Sequence, residues 1–184
     1  EGLTSYFGDL LAARSVGSVD DWLAINSRHI TDLQTKQPGR AFQTLEQASA
    51  QMFERLPADK KVDYYVKGPV AGLVLDAHIR KRTNNRKGMD DVIRLAYQRF
   101  SGARGFTAEG FAQTAADAAG FDVKPLLKTL VATTDEVDYA EMLDWFGLRF
   151  VTGDPAKAWT LEILPDVTPA QRANLSALLA HSKR

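Results

Sequence analysis

The chain has 184 residues, 45% of them hydrophobic and 25% charged, which is the balance of one ordinary globular domain with a core to bury. Its 23 basic and 23 acidic residues cancel, so no overall field draws it to nucleic acid or to an anionic membrane. With no cysteine it has no disulfide, no thiolate metal site and no cysteine nucleophile.

The chain opens on Glu1 rather than methionine, without a signal-peptide pattern, and its N-terminus is read as a cut end. Leu3, Tyr6, Phe7, Leu10 and Leu11 recur at helical spacing, and Gly17 stops that pattern. Asp20 or Asp21 is taken as the cap of a second helix, whose apolar side is Trp22, Leu23, Ile25, Ile30 and Leu33. The "QPGR" stretch (37–40) breaks the pattern, 41–56 is read as helical, and Pro57 with "ADKK" makes a polar connection. Pro69 is placed at the first position of the next helix, where its missing N–H costs nothing. That helix, Val70 to about Arg82, is apolar nearly all round and is expected at the centre of the fold. Its window "GPVAGLVLDA" is the most apolar of the chain, yet it is too short for a membrane span.

Met89, Val92, Ile93, Ala96, Tyr97 and Phe100 form a clear amphipathic stripe. Thr107 caps a helix that ends at Gly120, and Asp122 with Pro125 opens another. Asp138 and Glu141 are spaced as a capping box leading to a stop at Gly147. Strand patterns appear only then, at 148–151 and 159–164, on either side of a "TGDP" turn. Thr168-Pro169 reopens a helix to about Ala180. There is no internal repeat and no low-complexity segment.

Few residues carry chemistry. On local grounds Glu1 is a helix-dipole residue, and Tyr64-Tyr65 ahead of an apolar helix is packing with a polar handle. A phenol there can also donate to a developing oxyanion. His29, His78 and His181 lie far apart in sequence with no i, i+4 partner; His78 reads as a core or rim residue and the other two as surface. The basic run from Arg80 to Arg104 also holds Asp90 and Asp91, and it reads as a helix end and a solvated face. The pairs Asp20-Asp21 and Asp90-Asp91 precede amphipathic helices, so capping explains them.

In this order, "EGLTSYFGDLLAARS", "YYVKGPVAGLVLDAHIR" and "DDVIRLAYQRF…RGFTAEGFAQTAADAAG" resemble the C-terminal part of the glycyl aminopeptidase family of zinc peptidases, over Glu1 to about Phe150. The family is of the gluzincin, thermolysin-like kind. Its zinc is held by two histidines of an HExxH helix and by a later glutamate in a Glu-Gly-x-Thr-Ser-Tyr stretch. The resemblance therefore implies Glu1 as the third zinc ligand. The gluzincin pattern Tyr-x-Lys-Gly matches Tyr65, Val66, Lys67 and Gly68, and it implies Tyr65 as the stabiliser of the tetrahedral intermediate, with Tyr64 as the alternative.

HExxH is absent, so two zinc ligands and the general-base glutamate are missing, and the motif is expected upstream of Glu1. The resemblance implies a mainly α fold: a helical bundle like the C-terminal subdomain of gluzincin peptidases, with a short β-hairpin near the C-terminus. The expected division is 1–147 as that subdomain and 148–184 as a hairpin and terminal-helix appendage. Many relatives carry a PDZ domain towards the C-terminus, but the stretch after Phe150 is too short for one.

The parent is expected to be a zinc-dependent aminopeptidase removing N-terminal Gly or Ala from peptides. This chain alone is expected to be inactive and without zinc. The alternative is a non-catalytic helical domain that binds a protein or peptide. Neither nucleic acid nor a membrane span is expected, and a periplasmic or cell-envelope location is preferred to the cytoplasm. Loss of the zinc half is expected to expose apolar surface on 1–15 and 70–82, to be covered by self-association or rearrangement.

Overall fold

A computed structural model describes residues 2–180, and it is mainly helical with one small antiparallel sheet. Chain order gives α1 (Gly2–Ser15), α2 (Val19–Lys36), α3 (Leu45–Ala50), α4 (Tyr64–Thr83), α5 (Met89–Phe100), α6 (Ala108–Ala119), α7 (Lys124–Ala132) and α8 (Ala140–Phe146). The hairpin strands β1 (Leu148–Phe150) and β2 (Leu161–Ile163) come next, and α9 (Pro169–Leu179) closes the series. Among the described residues no helix is long and apolar enough to cross a membrane.

The apolar helix is central, as its sequence implied. Leu73, Leu75, Ala77 and Ile79 on α4 are shut off from solvent, and α1, α2, α5, α7 and α8 pack around them. This overturns the expectation of exposed apolar surface on 70–82: every apolar residue from Val70 to Ile79 is buried by neighbouring helices. On α1 the expectation holds in part. Tyr6 and Leu10 face α4, whereas Thr4, Gly8, Leu11 and Ala12 form an outward strip.

Helix ends depart from the sequence reading in instructive ways. The cap of α2 is Ser18, whose hydroxyl accepts from the Asp21 N–H, while Asp21 accepts from the Ser18 N–H. Asp21 is therefore the reciprocal member of a capping box and not the cap itself. The segment 41–56 is helical only over α3, between the Thr44 capping box and a turn at Gln51. Pro69 does not open α4. Asp63 caps that helix through the Tyr65 N–H, one turn earlier, so Pro69 lies inside it. Burial on all sides outweighs the backbone bond that proline forfeits.

Asp138 and Glu141 do not form a capping box either. Asp138 accepts from the Ala140 N–H, and Glu141 reaches across to His78. Thr107 and Thr168 cap α6 and α9 as their spacing predicts, and Asn84, Gly120 and Gly147 end their helices in the left-handed conformation. The strands are shorter than their apolar runs, with Leu148 opposite Ile163 and Phe150 opposite Leu161. The Leu161 N–H donates to Ser27 Oγ of α2 at 2.8 Å, which anchors the hairpin to the helical body.

Candidate functional site

The sequence places two motif segments on the N-terminal turns of α1 and α4, and the fold presses those turns together. A Cβ added at Gly68 would lie 2.3 Å from the Gly2 Cα, and one added at Gly2 would lie 2.6 Å from the Gly68 Cα and 2.8 Å from the Tyr64 carbonyl oxygen. These neighbours are backbone atoms, which cannot rotate aside, so only glycine at both positions permits this approach. One turn on, Gly72 admits the Tyr6 ring in the same way, its added Cβ meeting the ring at 2.7 Å. The contact thus joins the glycine of "EGLTSY" to the glycine of "YVKG". Glu1 lies outside the described residues.

The loop entering α4 is fastened on its other side. Gln37 accepts from the Asp63 N–H and Gln43 from the Val62 N–H, each at 2.9 Å, while Gly39 packs its backbone on that of Lys61. Tyr64 and Tyr65 begin the helix with ring centroids 4.8 Å apart. Tyr64 is half-buried, and Tyr65 is 48% exposed. Lys67 points the other way and is buried; its Nζ donates a long 3.5 Å bond to the Thr133 carbonyl at the end of α7. Burial holds that ammonium below the ordinary lysine range, against the opposing pull of Glu136 and Asp135.

Beneath the glycine contact runs a buried polar network that sequence reasoning missed. The Tyr6 hydroxyl donates to Asp76 at 2.6 Å, and Asp76 also accepts from Arg80 and from the Met89 N–H, each at 2.9 Å. Arg80 continues to Asp90, which forms a two-pronged pair with Arg14 at 2.7 and 2.9 Å. Arg14 also caps the end of α9 by donating to the Leu178 carbonyl. Burial and the adjoining Asp76 charge push the Tyr6 phenol well above its ordinary range. Burial also raises the Asp90 carboxyl, but the Arg14 bond, with the Arg14 and Arg80 charges, outweighs it and holds the group below the carboxylate range.

Two expectations change here. Arg80 belongs to this buried network rather than to a solvated face, and Asp90 is an ion-pair partner while Asp91 alone serves the helix start. An Asp and an Arg four residues apart inside an otherwise apolar helix were the available signal.

The histidines are accounted for by neighbours. His78 Nδ1 lies 2.6 Å from Glu141 with Phe121 beside its ring, a rim residue as its position implied. His29, expected at the surface, is partly buried and lies 2.9 Å from Asp9. His181 is outside the described residues. Among the described residues no three His, Asp or Glu side chains converge as a metal would require.

Residues 1–71 match the M61 glycyl aminopeptidase family. The M61 match ends at Ala71, just past Gly68, so it covers both halves of the glycine contact. The M61 match supports an origin among peptidases, and it is consistent with this chain being a portion of such a protein. No curated protein matches the chain.

Proposed function

We propose that this chain forms one wall of the active site of a zinc-dependent aminopeptidase that removes N-terminal Gly or Ala from peptides. The observation that carries the reading is the Gly2–Gly68 contact, which sets the glycine of the first motif against the glycine of the second across two different helices. A peptidase-family match over both segments supports it. In the complete enzyme zinc would be held by Glu1, as the carboxylate the resemblance assigns to this chain, together with the two histidines of an HExxH helix, and it would polarise the attacking water. No zinc is expected in this chain alone.

The residue with a chemical task here is Tyr65. Its phenol, on a half-exposed residue, would donate a hydrogen bond to the oxygen that gains charge as the scissile carbonyl is attacked, with its helix turn held by Asp63 and by the glycine contact. A donor fixed in advance of the reaction needs no reorientation in the transition state.

The experiment is hydrolysis of glycyl-p-nitroanilide by the complete enzyme, meaning this chain together with an HExxH segment encoded in frame ahead of the Glu1 codon. The reading requires activity that a chelator abolishes and zinc restores, with Glu1→Gln losing the metal. Undiminished activity in the chelator, or full zinc occupancy in Glu1→Gln, refutes it. The 184-residue chain by itself should neither hydrolyse the substrate nor hold stoichiometric zinc.

A further inference from the structure

The connection from α4 to α5 helps to close a small polar pocket of about 180 Å³. It lies at the end of α4 remote from the two motif segments, for the helix rise puts Arg80 about 20 Å beyond Tyr65. Arg14, Arg80, Arg86, Lys87 and Arg94 line it, and Asp90 and Asp91 are the carboxylates beside them.

We propose that this pocket binds a small tetrahedral dianion, a phosphate group held free or as a monoester. The inference is independent of the aminopeptidase reading.

Charge balance is the first observation. Asp90 is taken by Arg14 and Arg80, and Arg80 also holds Asp76, which does not line the pocket. That leaves Asp91 among three cations. It lies 3.5 Å from Lys87 and 3.4 Å from Arg94, both loose contacts, while Arg86 meets no carboxylate among the described residues. Five cations thus face three carboxylates, and a dianion matches the surplus. A singly charged carboxylate would cancel only half of it.

Free donors are the second. Arg86 spends its Nε on the Thr83 carbonyl at 3.0 Å, and its Nη groups meet no acceptor among the described residues. Arg94 is bonded through one Nη alone. Guanidinium forks of this kind fit the oxygens of a phosphate group.

The third is that the cations are held in place before any ligand arrives. Asn84 and Asn85 both take the left-handed conformation, with φ of 51° and 59°, and turn the chain at the end of α4. The Lys87 N–H then donates to Thr83 Oγ1 at 3.1 Å, and Asn85 Nδ2 to Asn174 of α9 at 2.8 Å. Gly88, another lining residue, has an extended backbone that any residue adopts, so conformation does not call for glycine. Space does: an added Cβ would lie 2.7 Å from Arg80 Nη2 and 2.8 Å from Asp76 Oδ1. Gly88 also caps α5, whose N-terminal end favours an anion. The volume equals that of about six waters, enough for one phosphate group with some hydration and too little for a drug-sized ligand.

The test titrates the 184-residue chain at about pH 7.5 with sodium phosphate, glycerol 3-phosphate or sodium acetate, chloride holding the ionic strength constant. NMR follows the backbone amides and the arginine Nε–H signals. Phosphate should give saturable shifts centred on Gly88, Arg86 and Arg94, and should bind about ten-fold tighter or more than acetate. Glycerol 3-phosphate within a few-fold of phosphate assigns the pocket to a phosphoryl group on a larger molecule; much weaker binding assigns it to the free ion, and either supports the proposal. Arg86→Gln and Arg94→Gln should each weaken phosphate about ten-fold, the loss of one charge-assisted contact, while the phosphate-free Tm stays nearly unchanged. Lys128→Gln, exposed on α7 away from the pocket, should leave the affinity as it is.

Equal affinity for phosphate and acetate overturns the proposal. So do shifts that never saturate, shifts confined to other faces, or parental affinity in both arginine variants. Phosphate also stabilises folded proteins generally by exclusion from their surface, so a rise in Tm that both variants share with the parent counts against the site.

Discussion

Replacing Gly68 by alanine isolates the contact that joins the two motif segments. The new Cβ would sit 2.3 Å from the Gly2 Cα, where carbon pairs ordinarily rest about 3.5–4.0 Å apart. Neither backbone can rotate away, so the N-terminal ends of α1 and α4 must separate by roughly 1.5 Å or more. Alanine favours the helix over glycine by about 1 kcal/mol, whereas overpacking of this kind costs about 1–3 kcal/mol and here opens a buried helix pair along its length. The clash wins, and Gly68→Ala should lose about 2 kcal/mol, the upper part of the overpacking range prevailing over the propensity gain. In a chain of this size that lowers Tm by about 4–8 °C. Gly8 on the same α1 helix is the matched control, because nothing lies within 4 Å of its added Cβ. Gly8→Ala should therefore gain up to about 1 kcal/mol from helix propensity alone. Urea unfolding followed by circular dichroism measures both variants. If Gly68→Ala proves as stable as the parent while Gly8→Ala behaves as stated, the close backbone approach is wrong, and with it the juxtaposition of the motifs.

Tyr6→Phe removes the hydroxyl that donates to the buried Asp76 and should cost about 1–2 kcal/mol in the same assay, since Arg80 and the Met89 N–H still satisfy the carboxylate in part; no loss would mean that the bond is not made. The Asp90 carboxyl is held below its ordinary range in the folded state, so its stabilising effect is present above about pH 4 and fades as pH falls through the lowered folded value. Asp90→Asn should accordingly be less stable than the parent at about pH 7, with the gap closing as pH falls below the ordinary carboxylate range, and a gap independent of pH would contradict the Arg14–Asp90–Arg80 pairing. Metal analysis of the purified 184-residue chain should find far less than one equivalent of zinc, and a chelator should leave its Tm unmoved; stoichiometric metal would mean that the chain assembles a complete donor set of its own.

Much of the fold was legible because its signals are local. Thr107, Thr168, Gly120 and Gly147 act within one helical turn, and their spacing alone located four helix ends. The errors arose where a distant partner competed. Glu141 sits at capping-box spacing from Asp138, but it is taken by His78 across the α4–α8 interface. Pro69 is a good first helical residue, yet Asp63 starts α4 earlier and burial retains the proline inside. Asp76 was hidden by its own context, since its partners Tyr6 and Met89 come from two other helices. For the candidate site, the motif residues were readable from their order, but the contact of Gly2 with Gly68 was not. Two glycines distant in sequence carry no local mark of touching.

The central claim is that the Tyr65 phenol at the start of α4 serves the reaction. The most direct measurement compares kcat for glycyl-p-nitroanilide in the complete enzyme with Tyr65→Phe and with Tyr64→Phe, zinc content being determined on each. The account predicts a loss of about 100-fold or more in kcat for Tyr65→Phe with zinc unchanged, the size of losing one oxyanion donor, and little change for Tyr64→Phe. Wild-type kcat in Tyr65→Phe, or the large loss appearing in Tyr64→Phe instead, would contradict it.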